Sequence, residues 1–262
     1  MTEWNAAGYE RVAGLQQTMA EEVLSLLDLK GTERVLDLGC GTGKITAEIA
    51  ARVPKGSVVG VDCSAEMIMF ASQQFGSRQN LRFETHDIRR LPFSEEFDLV
   101  VSFNALHWIP EQDKALDCIR SAMKRDGLAQ LRLVPAGKRK SLENVIEETR
   151  LSVRWARYFR QFRDPYLHLT PEQYGALAER SGLRVCGIHT QDKAWDFKSV
   201  SAFRAFGQVT FVEWTKFLPE NERLAFVNDV LNRYRLEVTN GKGEENTFEF
   251  YQMDVTLSRA LR

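Results

Sequence analysis

The run Val-Leu-Asp-Leu-Gly-Cys-Gly-Thr-Gly at residues 35–43 constrains this chain more than any other segment. Its apolar residues predict a buried strand, and Gly39, Gly41 and Gly43 follow before an amphipathic segment. A strand that turns through glycine into a helix lets a ligand approach the backbone closely. Lys44 stands where the last glycine of Gly-x-Gly-x-x-Gly would be, so the spacing disfavours a dinucleotide and favours a smaller nucleoside ligand.

Two further predicted strands end in residues suited to a nucleoside. The second strand, near residues 57–62, ends in Asp62, which lies 19 residues beyond Gly43, about the spacing at which an acid accepts hydrogen bonds from ribose hydroxyls. The third, near 80–85, is followed by Asp87 and Ile88. We expect Asp87 to accept from an adenine amino group and the amide of Ile88 to donate to the ring.

Taken together, these three motifs resemble those of class I S-adenosylmethionine (SAM) dependent methyltransferases. Residues 35–43 look like the first motif of that family, 60–62 like the second and 86–88 like the adenine motif. The resemblance covers about residues 10–135 well and the remainder loosely. It implies SAM as cofactor, with S-adenosylhomocysteine as product, and a Rossmann-like α/β fold.

The resemblance also implies a role for each residue around these motifs. Gly39, Cys40 and Gly41 would form the methionine pocket, and Asp37 would orient the amino group. Around the nucleoside, Cys63 and Met67 would pack, while Tyr9 would close over the sulfonium. The residues expected to contact the cofactor are Tyr9, Asp37, Gly39, Cys40, Gly41, Asp62, Cys63, Met67, Asp87, Ile88 and Asn104.

The alternation of apolar periods predicts an α/β fold. We expect a Rossmann-like seven-stranded sheet with helices on both faces and a helical cover inserted after the fifth strand and before the last. Residues 1–135 would form the SAM-binding core with an N-terminal helical cap, and 136–262 the cover with the last two, antiparallel strands. The predicted strands lie near 33–38, 57–62, 80–85, 97–103, 127–134, 183–197 and 248–261. The predicted helices lie near 15–29, 43–52, 64–75, 111–124 and 138–163, with the rest of the cover over about 198–245.

The methyl acceptor is expected above the end of the fourth strand, where His107 and Trp108 are the conspicuous side chains. The segment 104–110 resembles one in trans-aconitate, malonyl-carrier-protein and juvenile hormone acid methyltransferases, which esterify carboxylates. Gln16 resembles a glutamine associated with the acid substrate in the last group. The resemblance therefore implies substrate-binding roles for Gln16 and Trp108, and a small organic or fatty-type acid as acceptor. His107 can also donate a hydrogen bond to such an acid, and we expect His107 and Trp108 to be the catalytic residues.

An acid acceptor makes chemical sense of a site that lacks an obvious base. A carboxylate is ionised at neutral pH, so no residue has to create the nucleophile. Two alternatives stay open: a tailoring methyltransferase that acts on a hydroxyl, amine or carbon with His107 as base, and a SAM-binding protein without catalysis. An arginine-rich stretch with Arg150, Arg154 and Arg157 at helical spacing could bind an acid, although we interpret it as a solvated face.

Net charge, cysteine content and hydropathy limit the kinds of partner and the compartment that we expect for this protein. A formal net charge of −1 and a sequence pI near 6.5 provide no field for nucleic acid. Four cysteines without metal-ligand spacing predict no metal site and indicate a reducing compartment. The first residues do not resemble a signal peptide, and no stretch approaches a membrane span, so a cytoplasmic enzyme is expected.

Overall fold

A computed structural model describes residues 13–167, 169–237 and 246–260; in the first helix, the side chains of residues 13–17 and 20 lie outside the description. The seven strands form one sheet in the order β3-β2-β1-β4-β5-β7-β6. Strands β1 to β5 run parallel, while β7 is antiparallel to both β5 and β6. The predicted seven-stranded sheet and its antiparallel last pair are thus confirmed. The strands are β1 (Arg34–Leu38), β2 (Ser57–Asp62), β3 (Leu81–Thr85), β4 (Phe97–Phe103), β5 (Met123–Leu133), β6 (Leu183–Asp196) and β7 (Thr247–Arg259).

Helices cover both faces of the sheet and fill the insertions near its C-terminal end. Over the described residues, the α-helices are α1 (Ala13–Leu26), α2 (Lys44–Arg52), α3 (Ala65–Phe75), α4 (Gln112–Ala122), α5 (Leu142–Arg150), α6 (Pro171–Arg180), α7 (Val200–Thr210), α8 (Val212–Thr215) and α9 (Glu220–Glu237). The cover predicted between the fifth and last strands is therefore present as α5 to α9, with β6 between α6 and α7 in the chain.

Alternation along the central strands explains the two-faced packing. Leu36 and Leu38 of β1 belong to a core shared with α4 and α6, whereas Val35 belongs to a core with α1 and α2. Successive side chains of a strand point to opposite faces, so a strand buried on both faces reads as a continuous apolar run. A third, aromatic-rich core holds the cover together and includes Trp155 and Trp214.

Two predicted boundaries, one at the start of the fifth strand and one in the cover, were wrong. Strand β5 begins at Met123, because this fully buried residue pairs with Phe97. The helix predicted near 111–124 ends at Ala122, and Asp126 and Gly127 lie inside β5 where its register with β4 shifts. The charged stretch 138–163 is helical only over α5, and turns with a short 3₁₀ helix, Ala156–Tyr158, follow it.

A buried ion cluster fastens helix α1 to the sheet. Arg132 of β5 is 2% exposed and donates to both oxygens of Asp254 on β7, at 2.7 and 2.9 Å. It also donates to Glu22 of α1 at 3.2 Å, and Lys193 of β6 contacts the same carboxylate. Helix α1 is thereby held with Met19 and Val23 against the cavity described next. Within the described ranges, the helices are too short or too polar to cross a membrane.

Candidate cofactor and acceptor site

The carboxyl ends of β1 to β4 meet at one edge of the sheet, where a cavity of about 500 Å³ opens. This volume falls within the usual range of about 300–1,000 Å³ for small-molecule sites. Loops after the four strands, helix α1 and the cover all contribute to its walls. The predicted residues that line it are Gly39, Cys40, Gly41, Asp62, Cys63, Met67, Asp87, Ile88, Asn104, His107 and Trp108.

The glycine turn after β1 brings backbone to the cavity in a conformation that favours glycine. Gly39 has φ +74°, and a Cβ there would lie 2.2 Å from the Cβ of Ala105. Gly41 has φ +52°, and a Cβ there would meet nothing within 4 Å. The amides of Gly39 and Cys40 donate to the carbonyl of Val61 at 2.8 and 3.0 Å, which fixes the turn beside the end of β2.

The carboxylate of Asp62 is oriented by two backbone amides. Gly41 donates to its Oδ2 at 3.0 Å and Ser64 to its Oδ1 at 2.9 Å. Ser64 in turn caps α3 by accepting from the amide of Met67 at 3.3 Å. Burial raises the pKa of the neighbouring Cys63 thiol to about 11, so this side chain is a neutral, weakly polar wall.

The carboxylate after β3 is also held in place. Arg89 donates from its backbone and its guanidinium to Asp87, at 2.7 to 3.1 Å, and also donates to Glu111 at 2.8 Å. These bonds lower the pKa of Asp87, which is therefore an ionised acceptor at neutral pH. Ile88, next in the chain, begins the 3₁₀ turn that Asp87 caps.

Asn104, directly after β4, has the left-handed φ of +58°. Its side-chain nitrogen approaches the sulfur of Met19 at 3.8 Å. Its Oδ1 is buried and has no hydrogen-bond partner among the described residues. Asn104 lines the cavity, and a buried amide oxygen without a donor among the described residues suits a ligand that brings an N–H group.

Three of the predicted residues are not placed in the cavity wall. Asp37 is 2% exposed and lies behind the wall, where it accepts from the hydroxyl of Thr46 at 2.7 Å. Burial, assisted by the charge of Asp62, raises its pKa to about 7. Its predicted contact with an amino group remains a prediction. Tyr9 and the side chain of Gln16 lie outside the described residues.

The acceptor wall is built on the short 3₁₀ helix after β4, Leu106–Trp108. His107 is 6% exposed, and its Nδ1 accepts from the amide of Val134 on the loop after β5 at 3.3 Å. The ring centre of Tyr166 lies 4.9 Å from that of His107 and 5.1 Å from that of Trp108. Trp108 also packs edge-on against Trp214 at 5.8 Å, which joins the wall to the cover.

The cover adds residues that local sequence reasoning missed. Tyr166, Glu143 and Glu213 line the cavity, but no motif marked them. Tyr166 lies in an irregular segment that is placed by a long-range bond from the amide of Leu167 to the carbonyl of His107, at 2.8 Å. The aromatic residues of the cover, such as Phe206 and Trp214, are the sequence signal that could have indicated such a wall.

The arginine-rich stretch does not reach the cavity. Arg150 ends α5, so the helical face predicted for Arg150, Arg154 and Arg157 is wrong. Arg150 pairs with Glu147 at 2.5 Å and Arg154 with Asp229 at 3.0 Å. The guanidinium of Arg157 lies over the ring of Tyr158. Arg154 and Arg157 are exposed, in agreement with the interpretation of a solvated face, whereas the side chain of Arg150 is only 15% exposed.

A nucleoside-sized cavity on a Rossmann-like sheet agrees with a SAM-dependent methyltransferase, and comparison with known proteins supports this class. Residues 35–127 match a methyltransferase domain model. A malonyl-[acyl-carrier protein] O-methyltransferase of Geobacter sulfurreducens is 30% identical over 201 residues, which are 76% of this chain and 74% of that protein. A trans-aconitate 2-methyltransferase of Deinococcus radiodurans is 36% identical over 133 residues, about half of each chain. The crystal structure of Bacillus YcgJ has the same fold, with a TM-score of 0.67 at 17% identity over 94% of this chain and 100% of that one.

This chain belongs to the class I SAM-dependent methyltransferase family. The residues present fit that cofactor. A Cβ at Gly41 would occupy space that a ligand can fill, and Asp62 presents an oriented carboxylate. Asn104 Oδ1 has no donor among the described residues. Asp62 and Asp87 would hold the nucleoside, and the turn at Gly39 and Gly41 the methionine part.

Proposed function

We propose that this methyltransferase acts on a carboxylic acid and produces a methyl ester. The hydrogen bond from the amide of Val134 to Nδ1 of His107 carries the proposal. A neutral imidazole that accepts at Nδ1 carries its proton on Nε2. That nitrogen is a donor, so His107 suits a negatively charged acceptor better than one from which a proton must be removed.

The neighbouring side chain has the same polarity. The indole of Trp108 offers only an N–H donor and an apolar face. Two donors next to each other on the acceptor wall match the two oxygens of a carboxylate. The relatives described above are named for a malonyl group methylated at oxygen and for trans-aconitate, and both acceptors carry carboxylates.

The reaction needs little acid–base chemistry from the chain. When bound, SAM supplies a methyl carbon attached to a positively charged sulfur. A carboxylate oxygen forms the new bond to this carbon while the carbon–sulfur bond breaks, and its electron pair stays on sulfur. The products are a methyl ester and S-adenosylhomocysteine, and no proton is transferred.

The work of the residues is therefore alignment and exclusion of water. Asp62 and Asp87 would fix the nucleoside from two strand ends, and His107 and Trp108 would fix the acid. Alignment of reacting groups can contribute about 7–11 kcal/mol in favourable cases. The aromatic wall around Tyr166 and Trp214 keeps the anion poorly hydrated, which favours attack on a cationic centre.

The test is transfer from methyl-labelled SAM to a panel of carboxylic acids, phenols and amines. We expect label that mild base releases as methanol, which identifies an ester. Label that is stable to base would contradict the proposal and support the tailoring alternative with His107 as base. SAM binding without transfer to any member of the panel would support the non-catalytic alternative.

Two variants of His107 sharpen the test, because they differ in the ability to donate. His107→Asn keeps an N–H donor, whereas His107→Ala removes it. We expect the alanine variant to raise KM for the acid more than the asparagine variant does. If His107 were a general base, both variants would lose about 10²–10⁴-fold in kcat.

A further inference from the structure

The charged side chains of the cavity are divided between its two halves. The loops at the sheet edge, among the proposed cofactor residues, contribute charge of both signs: Lys44 and Arg89 are positive, and Asp62 and Asp87 are negative. Glu143 on α5 and Glu213 on α8 contribute negative charge from the cover. The lining residues that the described part of the cover supplies include no lysine or arginine.

The two cations at the sheet edge are poorly placed for an acceptor. Arg89 is committed to Asp87 and Glu111, each within 3.1 Å of its guanidinium. Lys44 begins α2 directly after the glycine turn, on the proposed methionine side of the cavity. Neither residue belongs to the cover that surrounds the acceptor wall.

The acceptor half is otherwise apolar. Its carboxylate-bearing side chains are set among Leu142, Ile146, Phe206, Phe211 and Trp214. Glu213 pairs with Lys216, and its side chain is only 16% exposed. A ligand in this half would thus meet aromatic and aliphatic walls together with carboxylates that lie largely out of water.

Building on the proposed function, we infer that the acceptor is a monocarboxylic acid with an apolar alkyl or aryl body. Glu143 and Glu213 exclude acids that carry a second carboxylate. One carboxylate at the acceptor wall has the donors of His107 and Trp108 and the positive charge of the cofactor. A second one, at the far end of the acid, would lie in a poorly hydrated space near like charges. Lys216 is already paired with Glu213, and the described cover residues that line the cavity include no lysine or arginine, so this placement is costly.

This inference separates the chain from part of its family. trans-Aconitate has three carboxylates, so two of them would face the cover, whose described lining residues include no lysine or arginine. We therefore expect this acceptor to differ from the one named for the Deinococcus relative.

The experiment compares three acids of equal chain length: octanoate, octanedioate and the monomethyl ester of octanedioate. The ester has the length of the diacid but no distal charge, so it separates charge from size. We expect kcat/KM for octanedioate to be at least about 30-fold below that for octanoate, and the half-ester to recover most of this loss.

Isosteric variants connect the effect to the two acids of the cover. Glu143→Gln and Glu213→Gln should each raise the ratio of kcat/KM for octanedioate over octanoate by about 3–10-fold, since each removes one like charge. Glu148→Gln is the matched control. Glu148 lies on the same helix as Glu143, pairs with Lys140 at 2.5 Å outside the cavity, and its loss should leave the ratio at the wild-type value. A thermal melt and S-adenosylhomocysteine binding would verify that each variant is folded.

The outcomes distinguish this inference from the proposed function. Equal methylation of octanoate and octanedioate, or a ratio that neither variant raises, would overturn the inference and leave a carboxyl methyltransferase. A fall in octanoate methylation in Glu143→Gln by about 10²-fold or more would indicate that Glu143 is a base, and would also overturn it. Methylation of none of these acids, nor of any other acid in the panel, by protein that binds SAM would overturn both.

Discussion

The Oδ2 atom of Asp62 accepts a hydrogen bond from the amide nitrogen of Gly41 across 3.0 Å. This bond joins the end of β2 to the turn after β1, so the proposed ribose acceptor and the proposed methionine pocket form one unit. We therefore expect a substitution of either residue to weaken cofactor binding more than it disturbs the core of the sheet.

Asp62→Asn is expected to weaken S-adenosylhomocysteine binding by about 10–100-fold, because hydrogen bonds to a charged group contribute about 1.5–3 kcal/mol. Calorimetric titration measures this directly. Asp98→Asn is the control: Asp98 also accepts from a backbone amide, that of Arg34 at 2.8 Å, but lies outside the cavity wall. An unchanged dissociation constant in Asp62→Asn would contradict the proposed ribose contact.

Alanine at the two glycines of the turn should have different effects. Gly39→Ala places a Cβ 2.2 Å from Ala105, so the folded state should lose stability and the melting temperature should fall. Gly41→Ala meets no protein atom within 4 Å but extends into the cavity. We expect it to cost about 1–2 kcal/mol for its left-handed backbone and to impair cofactor binding more than folding. Thermal melts and S-adenosylhomocysteine titrations of both variants test this prediction. A larger loss of stability in Gly41→Ala together with a larger loss of binding in Gly39→Ala would contradict it.

Asn104 offers a separate test, because its backbone and its side chain have distinct roles. Asn104→Gly keeps a residue suited to φ +58° and removes Oδ1, for which the described part of the chain supplies no donor. We expect S-adenosylhomocysteine binding to weaken by about 10-fold, as for loss of a hydrogen bond worth about 1.5 kcal/mol, with little change in stability. Asn104→Ala should bind as weakly and also unfold more easily. Full binding by the glycine variant would remove Asn104 from the cofactor site.

The buried Asp37 predicts a dependence of stability on pH. Its pKa is about 7 in the folded state against an ordinary value of 3.8, so the folded protein holds this proton more tightly than the unfolded chain. The stabilisation is therefore complete below about pH 4 and is lost as the pH rises towards 7. From pH 5 to pH 8, the unfolding free energy of the wild type should fall by roughly 2–3 kcal/mol more than that of Asp37→Asn. Urea denaturation at both values measures the difference, and parallel curves would contradict it.

The sequence predicted the strands that carry the cofactor residues well, because their signals are local. Residues 57–62 and 97–103 each contain a short run of aliphatic residues, and the structure forms β2 and β4 over those bounds. Because Asp62 and Asp87 follow the ends of two strands, we could place them at one edge of the sheet without knowledge of any distant contact. Their grouping in a single cavity follows from parallel pairing alone.

The acceptor half could not be predicted in the same way. Tyr166, Glu143 and Glu213 come from segments whose position depends on contacts far along the chain, such as the bond between Leu167 and His107. The start of β5 was missed for a similar reason, since pairing of Met123 with Phe97 overrides the local helical pattern. Local propensity is a weak guide where tertiary contacts decide.

Strand β7 lies between β5 and β6, although β6 precedes it in the chain. As the polypeptide leaves the ribosome, β6 therefore emerges before the strand through which it joins the sheet. Phe248 and Phe250 of β7 also belong to the cavity wall. The cavity wall is therefore complete only after β7 has inserted between β5 and β6. A protein with a complete cavity must have formed the whole sheet.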